Sequence, residues 1–191
     1  KKGEKNLVPS DVLCDYLYTN ALAERPSTSD IRYLIGLLTK APVQLTIYGK
    51  ANTAVILAQY GEQRHAKEYL QSLNEYTVYT EEMGRYFDTP KARYSWFDYK
   101  IPTQVAAIEA MKMLNADDRK TIEEMQRWLL QAKRTQNWDT PLNAADAVYA
   151  FMSGQMDKFT ADTPDKTALK VNGVPLALPQ ATAGLGYVKT S

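Results

Sequence analysis

Ile101-Pro102-Thr103-Gln104-Val105-Ala106-Ala107-Ile108-Glu109-Ala110-Met111 is echoed by Thr140-Pro141-Leu142-Asn143-Ala144-Ala145-Asp146-Ala147-Val148-Tyr149-Ala150-Phe151. A shift of 40 residues superposes the apolar positions: Ala107 falls on Ala147, Ile108 on Val148, Ala110 on Ala150 and Met111 on Phe151. Each copy opens with a proline and runs into an apolar, alanine-rich helix. A fixed period of this size marks stacked helical hairpins, in which no unit buries its face alone. It favours a scaffold over an enzyme.

Upstream, Ser10 is placed to cap a first helix with Leu13, Leu17 and Ala21 on one face, ending near Glu24 before Pro26. Ser29 is expected to cap a second, with Ile31, Leu34, Ile35 and Leu38 inward, stopped by Ala41-Pro42. Leu45 and Ile47 lead through Gly49 to a third helix. Its core, Ala54-Val55-Ile56-Leu57-Ala58, is apolar on nearly every side, and Gly61 ends it. The fourth, Gln63 to Tyr76, is half wet: Ala66, Tyr69, Leu70 and Leu73 form a stripe, while Arg64, Lys67, Glu68 and Gln71 face water.

The alternation then repeats. Pro102 to Leu114 is mostly apolar. Asp117 to Arg134 is amphipathic, with Ile122, Met125, Leu129 and Ala132 on one side. Pro141 to Met152 is again apolar almost all round. Fully buried helices alternating with half-buried ones are what two concentric layers require. The fold expected over residues 1–160 is therefore mainly α: an incomplete α/α toroid, of the terpenoid cyclase and protein prenyltransferase-like kind.

Two segments break the rhythm. Thr77 to Tyr99 is rich in β-branched and aromatic residues and reads as an inserted β-hairpin with its turn at Glu82 to Gly84. Residues 161–191 form a β-rich tail, in which Leu169-Lys170-Val171, Asn172-Gly173 and Val174-Pro175-Leu176 spell a type I′ hairpin. The tail reads as an appendage or the start of a following β-domain.

Composition narrows the function classes. The 191 residues carry 23 basic and 22 acidic side chains, for a net charge of +1, with no basic stripe, so no nucleic-acid partner is expected. Cys14 is the only cysteine. It can form neither an internal disulfide nor a cysteine-based zinc site, and it reads as a small buried hydrophobe on the first helix. No apolar run approaches the roughly 18 residues that span a bilayer. The chain begins Lys1-Lys2-Gly3-Glu4 rather than with Met, and reads as an excised piece of a larger protein.

Chemistry-bearing patterns are few. His65, the only histidine, falls on the exposed side of its helix beside Arg64 and Lys67. Glu81-Glu82, Asp117-Asp118 and Glu123-Glu124 are acidic pairs of the kind glycoside hydrolysis uses. Their expected places are a hairpin turn, a helix start that favours negative charge and the wet face of an outer helix. Tyr94, Trp96, Phe97 and Tyr99 form an aromatic cluster suited to a partner or interdomain contact. Asn137-Trp138-Asp139-Thr140-Pro141 is a helix-start turn, with Asp139 or Thr140 as cap and Trp138 plugging the loop. No phosphate loop, nucleophile elbow or His-Glu-x-x-His sequence is present. No catalytic, cofactor-binding or metal-ligating set emerges.

The stretch Trp138 to Phe151 resembles the last helical repeat of the thioester domain in alpha-2-macroglobulins. Ala51 to Leu73, Tyr76 to Tyr99 and Ile101 to Leu114 are similar to the corresponding part of large bacterial macroglobulin-like envelope proteins, especially of Bacteroidetes type. The likeness covers Asp11 to Gly154, and a β-sandwich domain following the toroid in that family matches the β-rich tail. It implies a non-catalytic helical domain of a secreted, lipid-anchored protease trap in the periplasm or cell envelope. Its partners would be neighbouring domains of the parent chain and, through the parent, target proteases, with no membrane contact by this segment. The family's thioester sequence is Cys-Gly-Glu-Gln. Here Tyr60-Gly61-Glu62-Gln63 puts a phenol where the sulfur must stand, so no functional residue carries over.

Two other functions fit an α/α toroid. A polysaccharide lyase or glycoside hydrolase would need a cleft lined by Tyr, Arg, His or paired carboxylates, for which Tyr86, Arg93, Trp96 and Asp98 are the candidates. A repeat-type peptide-binding module would expose an apolar patch around Trp96 and Phe97.

Overall fold

The structure, a computed structural model, describes residues 9–40, 45–88, 99–135, 138, 140–153, 170–171 and 174–175. The chain divides into two compact units, Lys1–Gln155 and Met156–Ser191. Among the described residues the first unit holds seven helices: α1 (Asp11–Leu22), α2 (Ser29–Leu38), α3 (Ile47–Gln59), α4 (Gln63–Asn74), α5 (Lys100–Leu114), α6 (Arg119–Thr135) and α7 (Pro141–Met152). A two-stranded antiparallel sheet, β1 (Thr77–Thr80) and β2 (Gly84–Phe87), lies between α4 and α5 in sequence. The second unit contains β3 (Lys170–Val171) antiparallel to β4 (Val174–Pro175), with Val171 opposite Val174. The hairpin expected in the tail forms at the expected strands. Its turn residues, Asn172 and Gly173, lie outside the described residues.

The odd-numbered helices pack in sequence order, α1 on α3, α3 on α5, α5 on α7. Helix α4 lies against α3 and α5, and α6 against α5 and α7. The burial follows from that placement. From Ile47 through Ala58 only Tyr48 of α3 escapes full burial, and α5 is buried from Thr103 to Ile108. Helix α4 buries only Ala66, Tyr69, Leu70 and Leu73, the stripe its sequence marks. Ile122, Met125, Leu129 and Ala132 of α6 are likewise buried. Each fully buried Leu or Ile contributes about 1.5–3 kcal/mol by removal from water. Helix α2 adds Ile31, Ile35 and Leu38 to the same core, and the buried Tyr69 hydroxyl of α4 donates to the Leu38 carbonyl at 2.5 Å.

Local chemistry sets the helix ends. The side chains of Ser10, Thr46 and Thr140 accept from the backbone N–H of Leu13, Gly49 and Asn143. Thr140 rather than Asp139 is therefore the cap of α7. Thr28, not Ser29, caps α2, accepting from Ile31 N at 3.3 Å. Two adjacent hydroxyl residues made either possible. Helix α3 starts at Ile47, so Gly49 lies in its first turn rather than ahead of it. Gly61 breaks the chain between α3 and α4 at φ +88°, the left-handed region where glycine is favoured. Thr46→Ala is expected to remove the α3 cap and lower stability by about 1 kcal/mol, read from the urea unfolding midpoint.

Two expectations need correction. Helix α7 is not buried all round: of its residues only Ala147 and Ala150 are buried, and Leu142, Val148 and Tyr149 are exposed. Its apolar outer side has no covering layer among the described residues. Glu124 does not face water: it is 6% exposed and accepts from Arg85 Nε of β2 at 3.0 Å, because the hairpin lies across α6. Gln104 of α5 fastens that seat, donating to the carbonyls of Arg85 at 2.7 Å and Met125 at 3.1 Å.

Candidate functional site

One cleft, about 240 Å³ in volume, opens among α1, α3, α5 and α7. Tyr18 and Leu22 of α1, Tyr48 and Asn52 of α3, Glu109 of α5, and Asp146 and Tyr149 of α7 line it, with Pro102, Val105 and Ala106 as its floor. Within each helix these positions fall three or four apart, so one stripe of every inner helix faces the same space. The 40-residue repeat carries the site: Glu109 is the counterpart of Tyr149, and Ala106 of Asp146. Repeat-equivalent positions thus line one cleft.

Glu109 is the hub. The Tyr18 hydroxyl donates to its Oε2 and the Tyr149 hydroxyl to its Oε1, the latter at 3.2 Å. One carboxylate therefore ties α1, α5 and α7 together. Lys112, one turn further along α5, donates to the carbonyls of Ala150 and Ser153 and to the Ser153 hydroxyl at 2.7–3.1 Å. It satisfies the end of α7, where a cation also suits the helix dipole. Burial pushes the Lys112 ammonium below its usual range, against the pull of Glu109.

Burial dominates the other titrations. The Tyr18 phenol is raised far above its ordinary value by burial, then by its hydrogen bond to Glu109. Burial pushes Tyr48 up to about 12, with the neighbouring Asn52 amide pulling the other way. Tyr149 is raised by burial and by the Glu109 charge. All three phenols stay protonated and neutral at physiological pH. Burial also raises the Asp146 carboxyl.

That last shift gives a signed prediction. The native state holds the Asp146 proton more tightly than the unfolded chain does. Stability is therefore lost as pH rises from the unfolded carboxyl value of 3.8 through the raised folded one. Asp146→Asn is expected to stabilise the protein at pH 7 by less than about 1 kcal/mol, since the group is partly solvated. The gain should vanish at about pH 3, where both states are protonated. Urea unfolding at the two pH values reads it.

Asn52 adds a different signal. It is 2% exposed, and its enclosed Nδ2 has no partner at full hydrogen-bond geometry, its amide acting on the neighbouring Tyr48 hydroxyl. Buried donors are normally paired, and an unpaired one costs about 1–3 kcal/mol.

The residues singled out from sequence fare unevenly. Tyr94, Trp96 and Phe97 lie outside the described residues, as do Arg93 and Asp98. Tyr99 packs edge-on against Tyr48, ring centres 5.2 Å apart, and so adjoins the cleft. Tyr86 stacks on Trp128 at 5.9 Å, away from the cleft-lining residues. His65 bridges Glu62 at 3.1 Å and Arg64 at 3.0 Å on α4. Cys14 is buried, its sulfur 3.3 Å from the Thr53 hydroxyl. Lys133 sits over the Trp138 ring at 4.9 Å.

Among the described residues no group of three or more His, Cys, Asp or Glu is arranged to hold a metal ion, and no helix is long and apolar enough to cross a membrane. Sequence reading missed Tyr18, Tyr48, Asn52, Glu109, Asp146 and Tyr149. A usable signal existed: Glu109 and Asp146 each interrupt an otherwise apolar helical run. Comparison of the chain with protein-family models, curated proteins and solved structures finds no match.

Proposed function

We propose that this chain is a non-catalytic, toroid-type helical domain of a macroglobulin-like protease trap of the bacterial envelope. The observation that supports it is the layering. Helices α3 and α5, buried over most of their length, alternate with the amphipathic α4 and α6. That alternation is what a ring of helical hairpins demands. The sequence likeness of Trp138 to Phe151 to the last toroid repeat points the same way. In this reading the domain is a rigid block that moves with the parent when the trap closes on a protease, and its partners are neighbouring domains of the parent.

The cleft fits a binding role better than a catalytic one. Both oxygens of Glu109 already accept phenol hydrogen bonds, which engages the carboxylate a reaction would have to use.

An immunoblot of fractionated native cells tests the proposal. Expected is a species many times larger than 21.6 kDa in the envelope fraction, whose purified form shields a protease from a protein substrate but not from a small one. A band near 21.6 kDa in the cytosol contradicts it.

A further inference from the structure

We infer that the cleft between α1, α3, α5 and α7 is a receptor for a single arginine side chain presented by a partner polypeptide. Three features of the site converge on that ligand. First, Glu109 and Asp146 face the same space with no lysine or arginine among the lining residues. Among the described residues, the ion pairs are Arg64 with Glu68, His65 with Glu62, and Arg85 with Glu124, so neither cleft carboxylate is neutralised by one. Lys112 acts on Glu109 from one turn along α5 but is bonded at the end of α7, so no cation lines the cleft beside its two carboxylates, and such a site favours a cation that arrives from outside.

Second, three tyrosines, Tyr18, Tyr48 and Tyr149, line the cleft together with the carboxylates. Phenol rings attract a cation over their faces, and a guanidinium both stacks on them and donates in its plane to carboxylates. The Tyr18 and Tyr149 hydroxyls, committed to Glu109, hold its charge in place without cancelling it. Asn52 has an enclosed Nδ2 with no partner at full hydrogen-bond geometry. Its place on the α3 wall makes its amide a reporter of what enters the cleft. Third, the volume, about 240 Å³, is below the roughly 300 Å³ at which pockets for drug-sized molecules begin, and suits one long side chain.

The inference does not depend on the parent protein proposed above. A free domain of any origin with this cleft would show the same selectivity.

The test titrates the full chain with N-acetyl-Gly-Arg-Gly-amide and with its citrulline counterpart, which has the same shape and no charge. The readout is the pair of Asn52 side-chain amide resonances in a nitrogen–proton correlation spectrum. Expected is saturable movement with the arginine peptide and at least about tenfold weaker binding of the citrulline peptide. Asp146→Asn and Glu109→Gln should each weaken the arginine peptide by about tenfold or more. Asp146→Asn is expected to fold at least as well as the parent chain, so its loss of binding cannot be laid to unfolding. Equal response to the two peptides, unchanged affinity in Asp146→Asn, or no movement at millimolar arginine peptide overturns the inference. So does maltose moving the same resonances where the arginine peptide does not.

Discussion

Gly84→Ala is expected to lower stability by about 3–5 kcal/mol, among the largest effects of any single methyl group added to this chain. Gly84 opens β2 at φ +81°, in the left-handed region. There a Cβ costs roughly 1–2 kcal/mol by itself. The larger part is contact. An added Cβ would lie 2.3 Å from the Glu124 carbonyl oxygen and 3.2 Å from Arg127 Cβ. The obstruction is α6 backbone, which cannot rotate away as a side chain could. Relief requires lifting the hairpin, which pulls Arg85 off Glu124 and the Arg85 carbonyl off Gln104. Two glycines serve as controls. Gly61 has φ +88° with nothing within 4 Å of the added Cβ, so Gly61→Ala should cost only the backbone part, about 1–2 kcal/mol. Gly36 lies inside α2 with open space around it, so Gly36→Ala should stabilise by about 0.5–1 kcal/mol. Urea unfolding of the three variants separates strain from overlap. Equal losses for Gly84→Ala and Gly61→Ala would mean the hairpin is not seated on α6.

Ile108→Ala is expected to cost about 3 kcal/mol, within the 2–5 kcal/mol range of such core truncations. Ile108 is fully buried on α5, the helix that touches α3, α4, α6 and α7. Neighbours on all sides are held by other helices and cannot close the gap, so the cavity penalty adds to the lost transfer energy. The same change on the outer layer, Leu130→Ala, falls on a residue of α6 that is more than half exposed, and should stay within about 0.5 kcal/mol. Midpoints of chemical unfolding at constant slope read both. A similar loss at the two positions would argue against α5 as an inner helix.

Much of the fold was legible because a helix half in water leaves a periodic mark. The stripes Ala66-Tyr69-Leu70-Leu73 and Ile122-Met125-Leu129-Ala132 are buried as read. Ser10 and Gly61 lie where their backbone chemistry put them. What failed depended on neighbours that no local pattern encodes. Glu124 counted as solvated because its own helix offers it no partner, whereas Arg85 arrives from a hairpin 39 residues away. Helix α7 looked buried because its residues are apolar, yet burial needs a helix on each side, and its outer side has none among the described residues.

The cleft failed differently. Two of its parts, Glu109 and Asp146, were visible as single polar residues in apolar runs, but a lone acid in such a run says nothing of what faces it. Only the packing of four helices brings Tyr18, Asn52, Glu109 and Asp146 to one space. The 40-residue period held more than was taken from it: laid over each other, its copies place Glu109 on Tyr149. A repeat read for apolar positions reveals the core, and read for polar ones it marks the shared cleft.

Native-state hydrogen exchange tests the layering most directly. Amides of α3 and α5 should exchange only through global unfolding, with protection equal to the full unfolding free energy. Amides of α4, and those on the wet side of α6, should exchange through smaller openings, several-fold to many-fold faster. Protection of α4 and α6 equal to or above that of α3 and α5 would contradict the two-layer packing, and with it the domain type proposed for this chain.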